Sequence, residues 1–206
     1  MHDVEAAVVT VSHDHFDHSY TEAVKGNPVI LKEIKEKKIQ NTIFKRVFSY
    51  HDPKEGKLRG NNIIWVVKDK LNIIVHTGDL GTNLSEKQLD EIGKIDILLL
   101  TVGGNFTIGP EEASRLMWQS RAKIIIPVHY LTTAIQLPLR PVHEFIKGKD
   151  KDYVDGIIKN TVLIDENNLP DEPWIIIPGY KPDVELGSPE TCWEPYCWYK
   201  KINYLI

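Results

Sequence analysis

Three histidines and two aspartates crowd into six consecutive positions, His13-Asp14-His15-Phe16-Asp17-His18. They follow Ala6 to Val11, an apolar and β-branched run that reads as a buried strand. The cluster therefore stands where a strand gives way to a loop, with the backbone fixed and the side chains free to converge on a ligand. In extended backbone His13 and His15 point to the same side, so both imidazoles reach one metal ion. Asp17 and His18 come after the chain has begun to turn and face a second ion nearby. Imidazole and carboxylate together suit Zn, Mn, Fe or Ni, with geometry choosing among them. A solvated polar turn that happens to be His-rich is the competing reading. It leaves three histidines and Asp17 just past a strand without a reason.

Size and charge narrow the classes further. The 206 residues suffice for one domain with its own core. A formal charge of -4 and a pI near 6.1 imply no domain-scale basic surface for nucleic acid. No apolar run approaches a membrane span, and Met1 to Glu5 lacks the basic and apolar regions of a signal peptide. A cytoplasmic location is the expectation. Cys192 and Cys197 then read as ordinary thiols rather than a disulfide, and as too few ligands for a structural zinc site.

Further along, several segments end at a histidine or aspartate. Thr42 to Tyr50 reads as a strand ending at His51. Ile63 to Val67 and Leu71 to Val75 read as a hairpin that leads into His76-Thr77-Gly78-Asp79. Ser85 and Gln88 make a capping box, Leu84 and Leu89 a hydrophobic staple, and Gly93 a helix end. Asp96 to Val102 is a buried strand followed by Gly103-Gly104-Asn105. Pro110 opens a second helix, with Glu111 and Glu112 in its first turn and Ala113, Leu116 and Met117 toward the core. Lys123 to Val128 is the next strand, and His129 stands just past it. Strand, helix, strand over Asp96 to His129 is a right-handed βαβ unit, whose parallel strands end at the same sheet edge.

Other stretches are less regular. Ser19 to Lys25 suggests one or two helical turns, Gly26-Asn27-Pro28 a break, and Val29 to Leu31 a short strand. Lys32 to Lys38 reads as a solvated face or turn, and Lys54 to Asn62 as a polar loop. Leu137 to Lys147 mixes prolines with a short helical pattern, and Asn160 to Ile164 and Trp174 to Ile177 look like late strands. Residues 178–206 read as an irregular extension packing on a single domain that spans 1–206.

The candidate ligands are His13, His15, Asp17, His18, His51, Asp79 and His129, each at or just beyond a predicted strand end. His76 is either a support for Asp79 or a packing residue. His2 and His143 read as surface residues. Gly103 and Gly104 let backbone approach a ligand. Gly104, Asn105 and Thr107 are candidates to bind substrate, although Asn105 and Thr107 serve equally well as turn and helix-entry residues.

Five stretches together resemble a known family: Val11 to His18, Ser49 to Asp52, Val75 to Gly81, Val102 to Pro110 and Ile126 to Tyr130. In order and spacing they resemble the metallo-β-lactamase-fold hydrolases. More narrowly, they resemble the metal-dependent hydrolase branch that includes ascorbate-6-phosphate lactonase relatives. The resemblance implies an α/β, four-layer αββα sandwich with metals at one edge. It implies that His13, His15 and His51 hold one ion, that Asp17, His18 and His129 hold another, and that Asp79 bridges them. It further implies a hydroxide between the ions that attacks the substrate, with Asp17 as its orienter or proton acceptor. Relatives carry a further segment ahead of the first metal motif, so the sandwich is expected to be N-terminally shortened. Either residues 178–206 or a second copy of the chain, in a homo-oligomer, would then cover the exposed edge.

The resulting expectation is a dinuclear hydrolase for a small ester, lactone or phosphodiester-type substrate. Two divalent ions serve it, zinc ahead of Mn, Fe and Ni, with no nucleic-acid or membrane partner. Two other classes stay open. A mononuclear iron redox enzyme of the same fold would show one iron per chain. A non-catalytic metal-binding protein would show no ester hydrolysis that Asp17→Ala abolishes.

Overall fold

A computed structural model describes residues 4–157, 163–164 and 169–179. Its centre is an eight-stranded sheet. The strands β5 (Glu36–Ile39), β6 (Thr42–Tyr50), β7 (Asn61–Lys68) and β8 (Ile73–His76) form an antiparallel meander. From β8 onward the pairing is parallel, through β9 (Ile97–Thr101), β10 (Ile124–Val128), β12 (Trp174–Pro178) and β11 (Val154–Ile157). Two antiparallel steps make β6 run with β8, so β6, β8, β9 and β10 all end at one edge.

Alternation along these strands sorts the apolar side chains to two faces. On one face, Val47, Ile64, Val66, Val75, Leu98, Leu100, Ile125 and Ile175 pack against Ile92, Ala113, Leu116, Met117 and Phe145. The latter come from α1 (Glu86–Ile92), α2 (Pro110–Ser120) and α3 (Val142–Ile146). Each of these side chains larger than that of Ala113 contributes about 1.5–3 kcal/mol by leaving water. The helix ends are set locally. Ser85 Oγ accepts the Gln88 N–H at 3.3 Å, and Gln88 Oε1 accepts the Ser85 N–H at 2.9 Å. Gly93 closes α1 at a φ of 79°, where a side chain would be strained.

The opposite face is covered differently. Near β7, Ile63 and Trp65 pack with Leu31, Val8, Ile39 and Phe44. Near β9 and β10, Ile97, Ile124 and Ile176 pack with Ile164 and Leu169. Two short parallel pairs lie before the meander: β1 (Val4–Glu5) with β3 (Val24–Lys25), and β2 (Val8–Thr10) with β4 (Val29–Leu31). Among the described residues these pairs are two separate two-stranded sheets, and the helical segment between β2 and β3 is a 3-10 turn at Thr21–Ala23.

Three local readings need correction. The ladder within Ala6 to Val11 is confined to β2, and it is half-buried rather than buried. Ser19 to Lys25 holds a single 3-10 turn and then β3, because strand pairing with β1 takes Val24 and Lys25. Glu36–Ile39, inside and just after the Lys/Glu-rich stretch, is an edge strand on β6. Its exposed lysines and glutamate blunt that edge rather than form a turn. Asn160 to Val162, Cys192, Cys197, residues 180–206 and His2 lie outside the described residues. Among the described residues no helix is long and apolar enough to cross a membrane.

Candidate metal centre

The shared strand edge delivers one residue from each turn. His51 follows β6, Asp79 follows β8 and His129 follows β10. The His13–His18 loop follows β2 and is pinned from three directions. The Val11 N–H donates to the Leu31 carbonyl at 2.9 Å. Trp65 Nε1 donates to the Val11 carbonyl at 3.0 Å, and the Ile63 N–H to the Ser12 carbonyl at 2.8 Å.

One carboxylate oxygen lies at the middle. Asp79 Oδ2 has His51 Nε2 at 3.3 Å, His18 Nε2 and His129 Nε2 at 3.5 Å, and His13 Nε2 at 3.9 Å. Asp17 Oδ2 is 3.6 Å from His18 Nε2. His13, His15 and His51 each offer a ring nitrogen within 4.8 Å of the other two, as do His13, His18 and Asp79 as a second trio. All seven candidate ligands therefore meet in one place. His13 Nε2 is buried there with no hydrogen-bond partner among the described residues. A buried imidazole nitrogen left without a partner, aimed among carboxylate and imidazole donors, fits a divalent cation.

The ligands are braced from behind. His51 Nδ1 lies 3.1 Å from the Phe106 carbonyl, which only accepts, so Nδ1 carries the proton and Nε2 faces the centre. His13 Nδ1 meets Ser12 Oγ at 2.9 Å. Asn62, fully buried, accepts the Asp79 N–H at 2.9 Å and donates to Ser49 Oγ and the Thr77 carbonyl at 2.8 Å each. Asp52 is buried beside His51 and accepts the Lys54, Leu58 and Arg59 N–H groups, which fixes the turn after β6.

Two glycines permit the close packing of these turns. A Cβ on Gly81 would stand 2.2 Å from the His51 carbonyl carbon, and one on Gly103 would stand 2.1 Å from the His129 carbonyl oxygen. His129 itself adopts the left-handed region, with φ 53°. That conformation costs a non-glycine residue about 1–2 kcal/mol.

The electrostatics follow from this crowding. Burial pushes His13 down to about 4, with the neighbouring imidazoles adding to the shift and Asp79 opposing it. Burial opposes ionisation of Asp79, yet the His51 hydrogen bond and the facing histidines outweigh it and hold the carboxyl at about 2. Burial also opposes the charged form of His51, but its hydrogen bond to Asp79 raises it above the ordinary imidazole value. Burial likewise works against Asp52, and the backbone N–H groups of Arg59, Lys54, Leu58 and Gly56 overcome it and lower the carboxyl. The centre thus presents an ionised carboxylate and a deprotonated His13 at neutral pH, as metal ligation requires.

The candidate substrate residues divide. Gly104 is buried with φ 66°, and Asn105 is exposed with φ 58°. The Thr107 hydroxyl is 3.0 Å from Thr101 Oγ1 and donates to the Ile108 carbonyl at 3.3 Å, so it braces its own turn. His76 Nδ1 accepts the Gly78 N–H at 2.9 Å and shapes the turn that carries Asp79. Sequence reasoning missed Ser12, Asn62 and the Phe106 carbonyl as supports. Asn62 ends an unremarkable polar loop in sequence, and its partners come from two different strand ends, those of β6 and β8.

Known proteins resemble this chain in sequence and in fold. Residues 1–129 match the beta-lactamase superfamily domain. The chain belongs to the beta-lactamase superfamily. Within it, a Thermotoga maritima protein described as a zinc-dependent hydrolase of the metallo-β-lactamase superfamily is 34% identical. It superposes with a TM-score of 0.72 over 86% of this chain and 84% of its own. The architecture is the metallo-β-lactamase fold. Igni18, a metallo hydrolase from Ignicoccus hospitalis, shares the fold at 18% identity, with a TM-score of 0.53 over 68% of this chain and 70% of that one. Among curated relatives, a UPF0173 metal-dependent hydrolase of Korarchaeum cryptofilum is 31% identical over 146 residues, 62% of this chain. Another, from Listeria monocytogenes serotype 4a, is 30% identical over 97 residues, 47% of this chain. The chain spans 66% and 41% of the lengths of these two relatives.

Proposed function

We propose that this beta-lactamase superfamily member is a metal-dependent hydrolase that binds two divalent cations, zinc foremost. The observation that carries this reading is the Asp79 carboxylate oxygen with four imidazole nitrogens 3.3–3.9 Å away. Two of these four, His13 and His51, also form a trio with His15. The names of the relatives point the same way.

His13, His15 and His51 would hold one cation and Asp17, His18 and His129 the other, with Asp79 shared between them. A cation held there lowers the pKa of a bound water toward about 7 and stabilises charge developing on the substrate oxygen. The remaining work belongs to the chain. Asp17 is half exposed and next to His18, so it can reach a water and the leaving group, and it serves as proton acceptor. His51 and Asp79 keep fixed orientations through Phe106 and Asn62. Small esters, lactones and phosphodiesters are the substrate classes.

The test is direct. The chain, reconstituted with zinc or manganese, is assayed against one ester, one lactone and one phosphodiester while bound metal is counted by mass spectrometry. Two ions per chain and turnover of at least one substrate, lost in Asp17→Asn, is the expected result. A single bound iron, or no turnover at full metal occupancy, would sink the proposal.

A further inference from the structure

A cavity of about 280 Å³ opens beside the metal centre, and its lining runs from His13 and His15 to Lys32, Arg46, Phe48 and Arg59. Arg46 and Phe48 are two apart on β6 and so share a face, the one opposite the buried Val47. Phe48 is 41% exposed and supplies an apolar wall. Arg59 comes from the loop before β7, with its guanidinium 5.6 Å from the centre of the Phe106 ring. The carbonyl of that same Phe106 orients His51, so Arg59 stands within a residue's breadth of a ligand.

The charge in this cleft runs against the charge of the chain. The whole chain carries -4, yet three cations line the cleft against two carboxylates, Asp14 and Glu33. Lys32 is already engaged with Asp14 at 3.4 Å. Arg46 and Arg59 are both half-buried, and among the described residues no carboxylate lies within ion-pair distance of either. Two guanidinium forks without an internal carboxylate, next to a reaction centre, suit an oxyanion that arrives with the ligand.

We propose that this cleft anchors the anionic end of the substrate, a phosphate monoester or a carboxylate, on Arg46 and Arg59. The anchor holds the scissile bond toward His13 and His15, and the Phe48 ring covers the apolar body between. The assignment rests on the hydrolase reading for the word substrate. Anion binding by the two arginines is tested apart from it.

The experiment uses the full chain, stripped of metal by chelation, at pH 8. It is titrated with inorganic phosphate and separately with succinate, followed by calorimetry and by the arginine Nε–Hε resonances. The expected result is saturable binding of one probe that shifts the Arg46 and Arg59 resonances. The double change Arg46→Gln and Arg59→Gln should weaken it by about tenfold or more. The double change to Lys should weaken it less, since charge is kept and only the forks are lost. A phosphate preference identifies a phosphate monoester, and a succinate preference a carboxylate. Binding of both probes that is unchanged in the Gln variant, or arginine resonances that do not move, would overturn the proposal. With metal restored, the ratio of kcat/KM for an anionic ester to that for its neutral analogue should fall about tenfold in the Gln variant. The titration needs no turnover, so a chain that hydrolyses nothing sinks the hydrolase reading while the titration still decides the cleft.

Discussion

His51 and Asp79 lie at the floor of the metal centre with 2% and 5% of their surface exposed, whereas Asp17 keeps 50% of its side chain in solvent. His15 is exposed as well. The floor is built from distant strand ends and braced by Phe106, Asn62 and the backbone around Gly81. The rim is built from one loop and held by local contacts, such as the His18 N–H on the His15 carbonyl at 2.9 Å and Ser19 Oγ on the same oxygen. The difference separates two tasks. On the proposed reading, a buried, pre-oriented floor would retain cations, and a solvated rim would adjust to substrate and exchange protons.

The largest effect is expected from Asp79→Ala, which removes the oxygen that four imidazoles face. Both ions should be lost on dialysis, as read by mass spectrometry, and hydrolysis should fall to background. Retention of two ions would break the division between floor and rim. Asp17→Asn should behave differently, keeping the floor loaded while kcat drops by about 10²–10⁴. If that variant also loses both ions, the rim holds metal as firmly as the floor does.

Asn62→Ala probes the brace rather than the ligand. Chelator competition should show metal affinity lower by about 10–100-fold. Urea unfolding should show a loss of about 1–3 kcal/mol, because the Asp79 N–H and the Thr77 carbonyl lose a buried partner.

The smallest effect is one of pH on the metal-free chain. His13 is held at about 4 in the fold against 6.5 for an ordinary imidazole, so between those values the unfolded chain binds the extra proton. Stability should therefore fall as pH drops from 6.5 to about 4, and His13→Gln should flatten that limb in a urea series. His51 is shifted upward, so its contribution is present below 6.5 and is lost only as pH rises through its folded value. Asp79, at about 2, extends the acid loss below the ordinary carboxylate range.

Much of the frame was legible because the apolar strands are long and their ends are marked. Thr42 to Tyr50 is β6 to the residue, and Ser85, Gln88, Gly93 and Pro110 punctuate the helices as their chemistry predicts. Histidines and aspartates just past such strands converge once the strands run in parallel. The illegible parts are of two kinds. Short strands such as β1, β3 and β5, of two to four residues, carry too little periodicity to announce themselves, whereas β4 stands where Val29 to Leu31 is read as a strand. Partners that meet only through sheet register, such as Asn62 with Ser49 or Arg46 with the His13 loop, leave no local pattern. Thr107 shows the converse, since its hydroxyl faces Thr101 through a turn whose closure no spacing foretells.

The backbone of His129, wound the wrong way for an L-residue and pressed against Gly103, has a practical consequence for anyone engineering this chain. A screen for heat tolerance alone would favour glycine or asparagine at that position, because either relaxes the winding. The survivors would be sturdier and missing one imidazole. Selection for robustness in this scaffold therefore has to be coupled to a selection for cation capture, or it will enrich inert protein.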